Sequence, residues 1–151
     1  MPAPAYRPVV ASRPAPALPA CRLHRVVQYI EENLQQPMRL GDLSALVHMS
    51  PYHFARLFAG STGAPPHRFI MRRRIETARA LLATDGMRIS EIARAVGFCT
   101  ASHFATTFRR VVGVTPSAYR RAASDQSAAA GSHRGPSDDV VERADAGSGV
   151  A

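Results

Sequence analysis

Three sets of side chains in this sequence could carry chemistry. Cys21 with His24 and Cys99 with His103 supply two thiols and two imidazoles, a set that could in principle bind zinc. Against zinc, His103 repeats His53 fifty residues earlier, and His53 has no cysteine four residues before it. Both histidines are expected half-buried, on the helix side shared with Leu57 and Thr107, and no metal is assigned. A catalytic set is the second possibility. No nucleophile–base pairing, phosphate-loop glycine pattern or carboxylate cluster stands out, so the expectation is no enzyme and no cofactor. The third set occupies the outward side of two short helices: Tyr52, Ala55 and Arg56 on one, and Ala101, Ser102, Ala105, Thr106 and Arg109 on the other. The planar fork of Arg56 suits the O6/N7 edge of guanine, Ser102 and Thr106 carry hydroxyls, and an alanine offers a methyl to thymine. Reading of double-stranded DNA is the chemistry these types suit.

The elements that must present those positions occur twice. His53, Phe54, Phe58, Gly63, Pro66 and Phe69 each have a counterpart fifty residues on, at His103, Phe104, Phe108, Gly113, Pro116 and Tyr119. Upstream the offset is forty-nine, pairing Leu40 with Ile89, Leu43 with Ile92 and Val47 with Val96. One extra residue in the second turn accounts for the change. Each unit is a short apolar-periodic helix, a turn and a second helix, the plan of a helix-turn-helix. The first, about 40–61, buries Leu40, Leu43, Leu46 and Val47, turns at His48-Met49 and reopens at Ser50-Pro51, a cap residue followed by proline at the first helical position. The second, about 89–112, has Ser90 available as a cap and turns at Gly97. Thr100 caps its second helix, in which Phe104, Thr107, Phe108 and Val111 point inward.

Between the units, a linker helix over about 66–83 carries the stripe Met71, Ile75, Ala78 and Leu82 and the run Arg72-Arg73-Arg74. Arg72 is placed to pair with Glu76, and the other two arginines are expected on a solvated face or on phosphate. A first helix over 22–36, ended by Pro37, braces the first unit. Thr115-Pro116 starts a last helix ending near Arg121. Residues 1–20, with six prolines, are expected disordered, and so is the Ser-, Ala-, Gly- and Asp-rich tail 123–151.

A length of 151 residues allows one compact domain with tails or two very small ones. All nineteen basic residues are Arg, and the net charge is +8. Between residues 21 and 122, fifteen Arg face six acids, a net +9, whereas the tail is net −3. A basic folded part fits a nucleic-acid partner, or less often an anionic membrane surface. No apolar run approaches the roughly 18–20 residues of a membrane span, and no secretory signal opens the chain, so a cytoplasmic protein without membrane association is expected.

The pieces LGDLSALVHMSPYHFARLF, PHRFIMRRRIETARALLA and ISEIARAVGFCTASHFATTFRRVVGVTPSAYR are similar to the DNA-binding domain of the AraC/XylS family of bacterial transcription regulators. The resemblance runs from about Leu23 to Arg121, two-thirds of the chain, and the last piece is its most specific part. It implies an all-α fold of seven helices, with two helix-turn-helix subdomains joined by a long central linker helix. It implies a monomer on DNA, placing two recognition helices in successive major grooves, and control of promoters, often through RNA polymerase. Positions matching Tyr52, Ala55, Arg56, Ala101, Ser102, Ala105 and Thr106 face bases in that family. Three of these seven are alanine here, so the first unit is expected to dominate specificity while the second supplies phosphate contacts and fit. His48 departs from the glycine common at its turn. The Pro-rich leader cannot enclose a ligand, so the chain resembles stand-alone members without a sensor domain; a truncated reading frame is an equally economical account. The alternative function is a module that binds RNA polymerase or another regulator without an operator of its own.

Overall fold

Helical spacing of apolar residues, punctuated by caps, produces seven helices and no strand among the described residues of the computed structural model, which are 16–84 and 86–131. They are α1 (Ala20–Glu32), α2 (Leu40–Ala45), α3 (Pro51–Thr62), α4 (Pro66–Thr84), α5 (Ile89–Ala95), α6 (Ala101–Val112) and α7 (Pro116–Gly131). The α2–α3 and α5–α6 pairs are the two helix-turn-helix units, with α4 running between them.

Each unit has its own apolar core, and α4 feeds both. Val26 and Ile30 of α1, Leu43, Val47, Phe54 and Phe58 surround Ile70 of α4 in the first. Ile92, Val96, Phe98, Phe104 and Phe108 surround Ile75, Ala78 and Leu82 of α4 in the second. The duplication extends to ring packing. Phe54 meets Phe58, which meets Phe69 edge-on at 5.3 Å; Phe104 meets Phe108, which meets Tyr119 edge-on at 5.7 Å. Arg79 of α4 lies over the Tyr119 ring, 5.4 Å from its centroid, and its Nε donates to the Tyr119 hydroxyl.

Several expectations from sequence change. The first helix ends at Glu32 rather than at residue 36, because the chain turns at Asn33 and the residue before Pro37 is disfavoured in helical geometry. Leu18, assigned to the disordered leader, is only 5% exposed, sits in the first core, and its N–H donates to Ser61 Oγ. Residues 123–131, assigned to the disordered tail, continue α7 to Gly131; five alanines there and in the preceding turn favour helix strongly. The remaining leader and tail positions, 1–15 and 132–151, lie outside the described residues. Leu40 and Val111, expected inward, are 39% and 47% exposed, and Val112, one turn on from Phe108, packs on the second core instead. Ser90 lies inside α5; its N-terminus forms at Arg88, whose N–H is accepted by Glu91.

The arginine run is resolved residue by residue. Arg73, not Arg72, pairs with Glu76, and it also pairs with Glu31 of α1. Arg74 is not on a solvated face, being only 6% exposed. Its Nε donates to Leu34 O at 2.8 Å, Nη2 to Gln36 O at 2.8 Å and Nη1 to Gly97 O at 2.9 Å. One guanidinium thus ties the loop after α1, in the first unit, to the turn of the second. Burial pushes its pKa below the usual guanidinium value by desolvating the charge. One sequence signal marked this residue. Arg74 falls three positions after Met71 and four before Ala78, on the apolar stripe itself.

Candidate nucleic-acid interface

The two turns set how α3 and α6 project. His48 takes φ 55° and Gly97 φ 86°, both left-handed. Beyond them, Met49 N–H donates to Ser44 O and Phe98 N–H to Ala93 O, the same six-residue closure in both units. Histidine reaches that backbone region more readily than most non-glycine residues, so the first turn keeps its geometry. The second helix then opens on a hydroxyl cap. Ser50 Oγ accepts from His53 N–H, with Pro51 at the first helical position, and Thr100 Oγ1 accepts from His103 N–H. Such a cap contributes about 1 kcal/mol.

Burial of Phe54, Leu57 and Phe58 in α3, and of Phe104, Thr107 and Phe108 in α6, leaves the opposite faces free. Tyr52 is 80% exposed and Arg56 is exposed, while Ala55 is half-buried against the cleft between the units. On α6, Ala101, Ser102, Thr106 and Arg109 are exposed and Ala105 is half-buried. The side chains of Tyr52, Arg56, Ser102, Thr106 and Arg109 make no hydrogen bond or ion pair with the described residues. Their polar capacity is unspent, and the eight sequence-selected positions divide into three on α3 and five on α6.

His53 and His103 stand beside these faces, exposed rather than half-buried as expected; they occupy the first turn after each cap, before the helix meets the core. The His103 ring does rest on Phe98 at 5.3 Å. Cys21 and Cys99 are exposed free thiols. Sequence reasoning also missed a repeated cation. Arg39 and Arg88, exposed and forty-nine residues apart, open α2 and α5, each with its N–H accepted by the acid three residues on, Asp42 or Glu91. The same offset that pairs Leu40 with Ile89 would have found them.

A helix-turn-helix domain family matches residues 43–122, more than half of the chain, a region that runs from within α2 through α3, α4, α5 and α6 into α7. The chain belongs to the AraC/XylS family. Among AraC/XylS relatives, the regulatory protein PocR of Salmonella typhimurium is 35% identical over 106 residues, 70% of this chain and 35% of PocR. The regulator Rv1931c of Mycobacterium tuberculosis is 39% identical over 84 residues, 56% of this chain and 32% of that protein. The chain therefore spans only about a third of the length of these curated relatives. Among solved structures, the DNA-binding domain of AdpA, a global transcriptional factor in complex with a target DNA, matches with a TM-score of 0.67 and 31% identity, over 70% of this chain and 95% of that one. An AraC-type regulator from Chromobacterium violaceum matches with a TM-score of 0.64 and 29% identity, over 68% and 92% of the two chains. The described part of the chain has the all-helical fold of an AraC-type DNA-binding domain. None of its helices is long and apolar enough to cross a membrane.

Proposed function

We propose that this domain reads a specific double-stranded site as a monomer, laying α3 and α6 in two successive major grooves on one side of the duplex. The observation that carries this reading is the duplicated presentation: α3 and α6 each project an unbonded face from the same turn and hydroxyl cap. The DNA complex of the similar AdpA domain supports duplex DNA as the partner.

The two faces are chemically unequal, and this sets the division of labour. Arg56 brings a bidentate guanidinium to the α3 face, flanked by Tyr52 and Ala55. The α6 face offers Ser102 and Thr106 hydroxyls between Ala101 and Ala105. A bidentate arginine–guanine pair discriminates by about 1–3 kcal/mol, more than a lone hydroxyl reaches. The first unit therefore specifies sequence, while Arg109, with Arg39 and Arg88 at the starts of α2 and α5, holds phosphates and fixes register.

The test starts from duplexes selected out of genomic fragments, with binding followed by fluorescence anisotropy across single-base variants. One protein should occupy a duplex of about 20 base pairs, on an asymmetric site, because the two readers differ. Arg56→Ala should lose roughly tenfold or more in affinity and flatten discrimination at one base pair. Thr106→Ala should lose less. A larger, base-specific loss from Thr106→Ala, or two chains required per site, would sink this assignment.

A further inference from the structure

The two units border a half-open cleft of about 710 Å³, in the size range of sites that take a small organic molecule. Leu40 of α2, Met71 of α4 and Phe98 in the second turn give it apolar walls, and the exposure of Leu40 is exposure beside this space. Two cations stand among those walls. The charge of Arg74 meets three carbonyl oxygens and no carboxylate, and three of its five N–H donors are used, which leaves two. Arg94 of α5 lines the same cleft, and its guanidinium has neither hydrogen bond nor ion pair among the described residues. Cations bordered by apolar surface attract an anion more strongly than cations in open water. Those apolar walls also set the site apart from one shaped for a bare phosphate, which would leave them wet.

We propose that this cleft binds an amphipathic organic anion, with its apolar body against Leu40, Met71 and Phe98 and its carboxylate or sulfonate on Arg94, within reach of Arg74. The inference is independent of DNA reading, because binding is measured on the free protein.

Anilinonaphthalene sulfonate is a suitable probe, and the two free cysteines report its position: Cys99 lines the cleft, whereas Cys21 on α1 does not. Alkylation by iodoacetamide is followed at each thiol by mass spectrometry. At a probe concentration roughly ten times its Kd, the Cys99 rate should fall about tenfold while Cys21 is unaffected. Arg94→Ala, at an exposed residue whose guanidinium has no partner among the described residues, should keep the helical circular dichroism and weaken the probe about tenfold, the scale of one charge-assisted hydrogen bond. Uncharged phenylnaphthylamine should protect Cys99 more weakly and respond little to Arg94→Ala. Equal protection of both thiols, no protection of either, or unchanged probe affinity in Arg94→Ala would overturn the proposal.

Discussion

Substituting Gly97 by alanine tests the joint between the two units. A Cβ built at Gly97 would lie 2.5 Å from Leu34 O and 2.8 Å from Arg74 Cζ, and φ there is +86°. Gly113 is a matched control, with φ +91° and nothing within 4 Å of its Cβ position. Both substitutions incur the left-handed backbone cost of an L-residue, about 1–2 kcal/mol. Both also gain the same small benefit from a stiffer unfolded chain. Only Gly97→Ala must push back a backbone carbonyl or the guanidinium that binds it. Losing one hydrogen bond to that charged group adds about 1.5–3 kcal/mol. Gly97→Ala should therefore cost about 2.5–5 kcal/mol in total, against about 1–2 for Gly113→Ala. Urea unfolding followed by far-ultraviolet circular dichroism measures both, since the chain has no Trp to report by fluorescence. A Gly97→Ala cost within about 0.5 kcal/mol of the Gly113→Ala cost would refute the reasoning, because the clash would then carry no energy.

Other perturbations separate the remaining contributions. Arg74→Met should destabilise by about 3 kcal/mol or more, since it strands three carbonyls; Arg74→Lys should recover less than half, because an ammonium cannot match the planar fork. Urea midpoints of the three proteins decide this. Glu31→Gln breaks a partly exposed pair with Arg73 and should cost no more than about 1 kcal/mol, shrinking when the same titration is run in high salt. Ser50→Ala and Thr100→Ala should each cost about 1 kcal/mol, and the double variant should sum them, as the two caps serve separate cores. Non-additivity in unfolding titrations would mean that the units report on each other through α4.

Much of the site was legible because it is built from local rules. Caps at Ser50 and Thr100, turns at His48 and Gly97, and the fifty-residue echo of Phe54 and Phe58 follow from residues a few positions apart. The outward positions on α3 and α6 followed once the inward ones were known. Arg74 was not legible in the same way. Three adjacent arginines point about 100° apart on a helix; the stripe from Met71 to Ala78 picks out Arg74 as the inward one, but its partners, the Leu34, Gln36 and Gly97 carbonyls, lie far off in sequence. The misplacement of Val111 has a related cause. A stripe that begins at Phe104 and Phe108 continues at Val112, and only the α6 packing against α4 and α7 selects between neighbours. Arg39 and Arg88 were overlooked for a simpler reason: they flank the apolar pattern rather than belong to it.

The Arg74 joint also bears on what spacing the domain tolerates. With α4 shared by both cores and the two loops bolted to one guanidinium, the reading heads behave as the jaws of a calliper locked at one opening. On the proposed two-groove reading, a base pair inserted between the half-sites swings the second one by about 34° around the duplex axis. A locked calliper cannot follow that rotation. Operators should thus vary freely in the bases between the half-sites and hardly at all in their number.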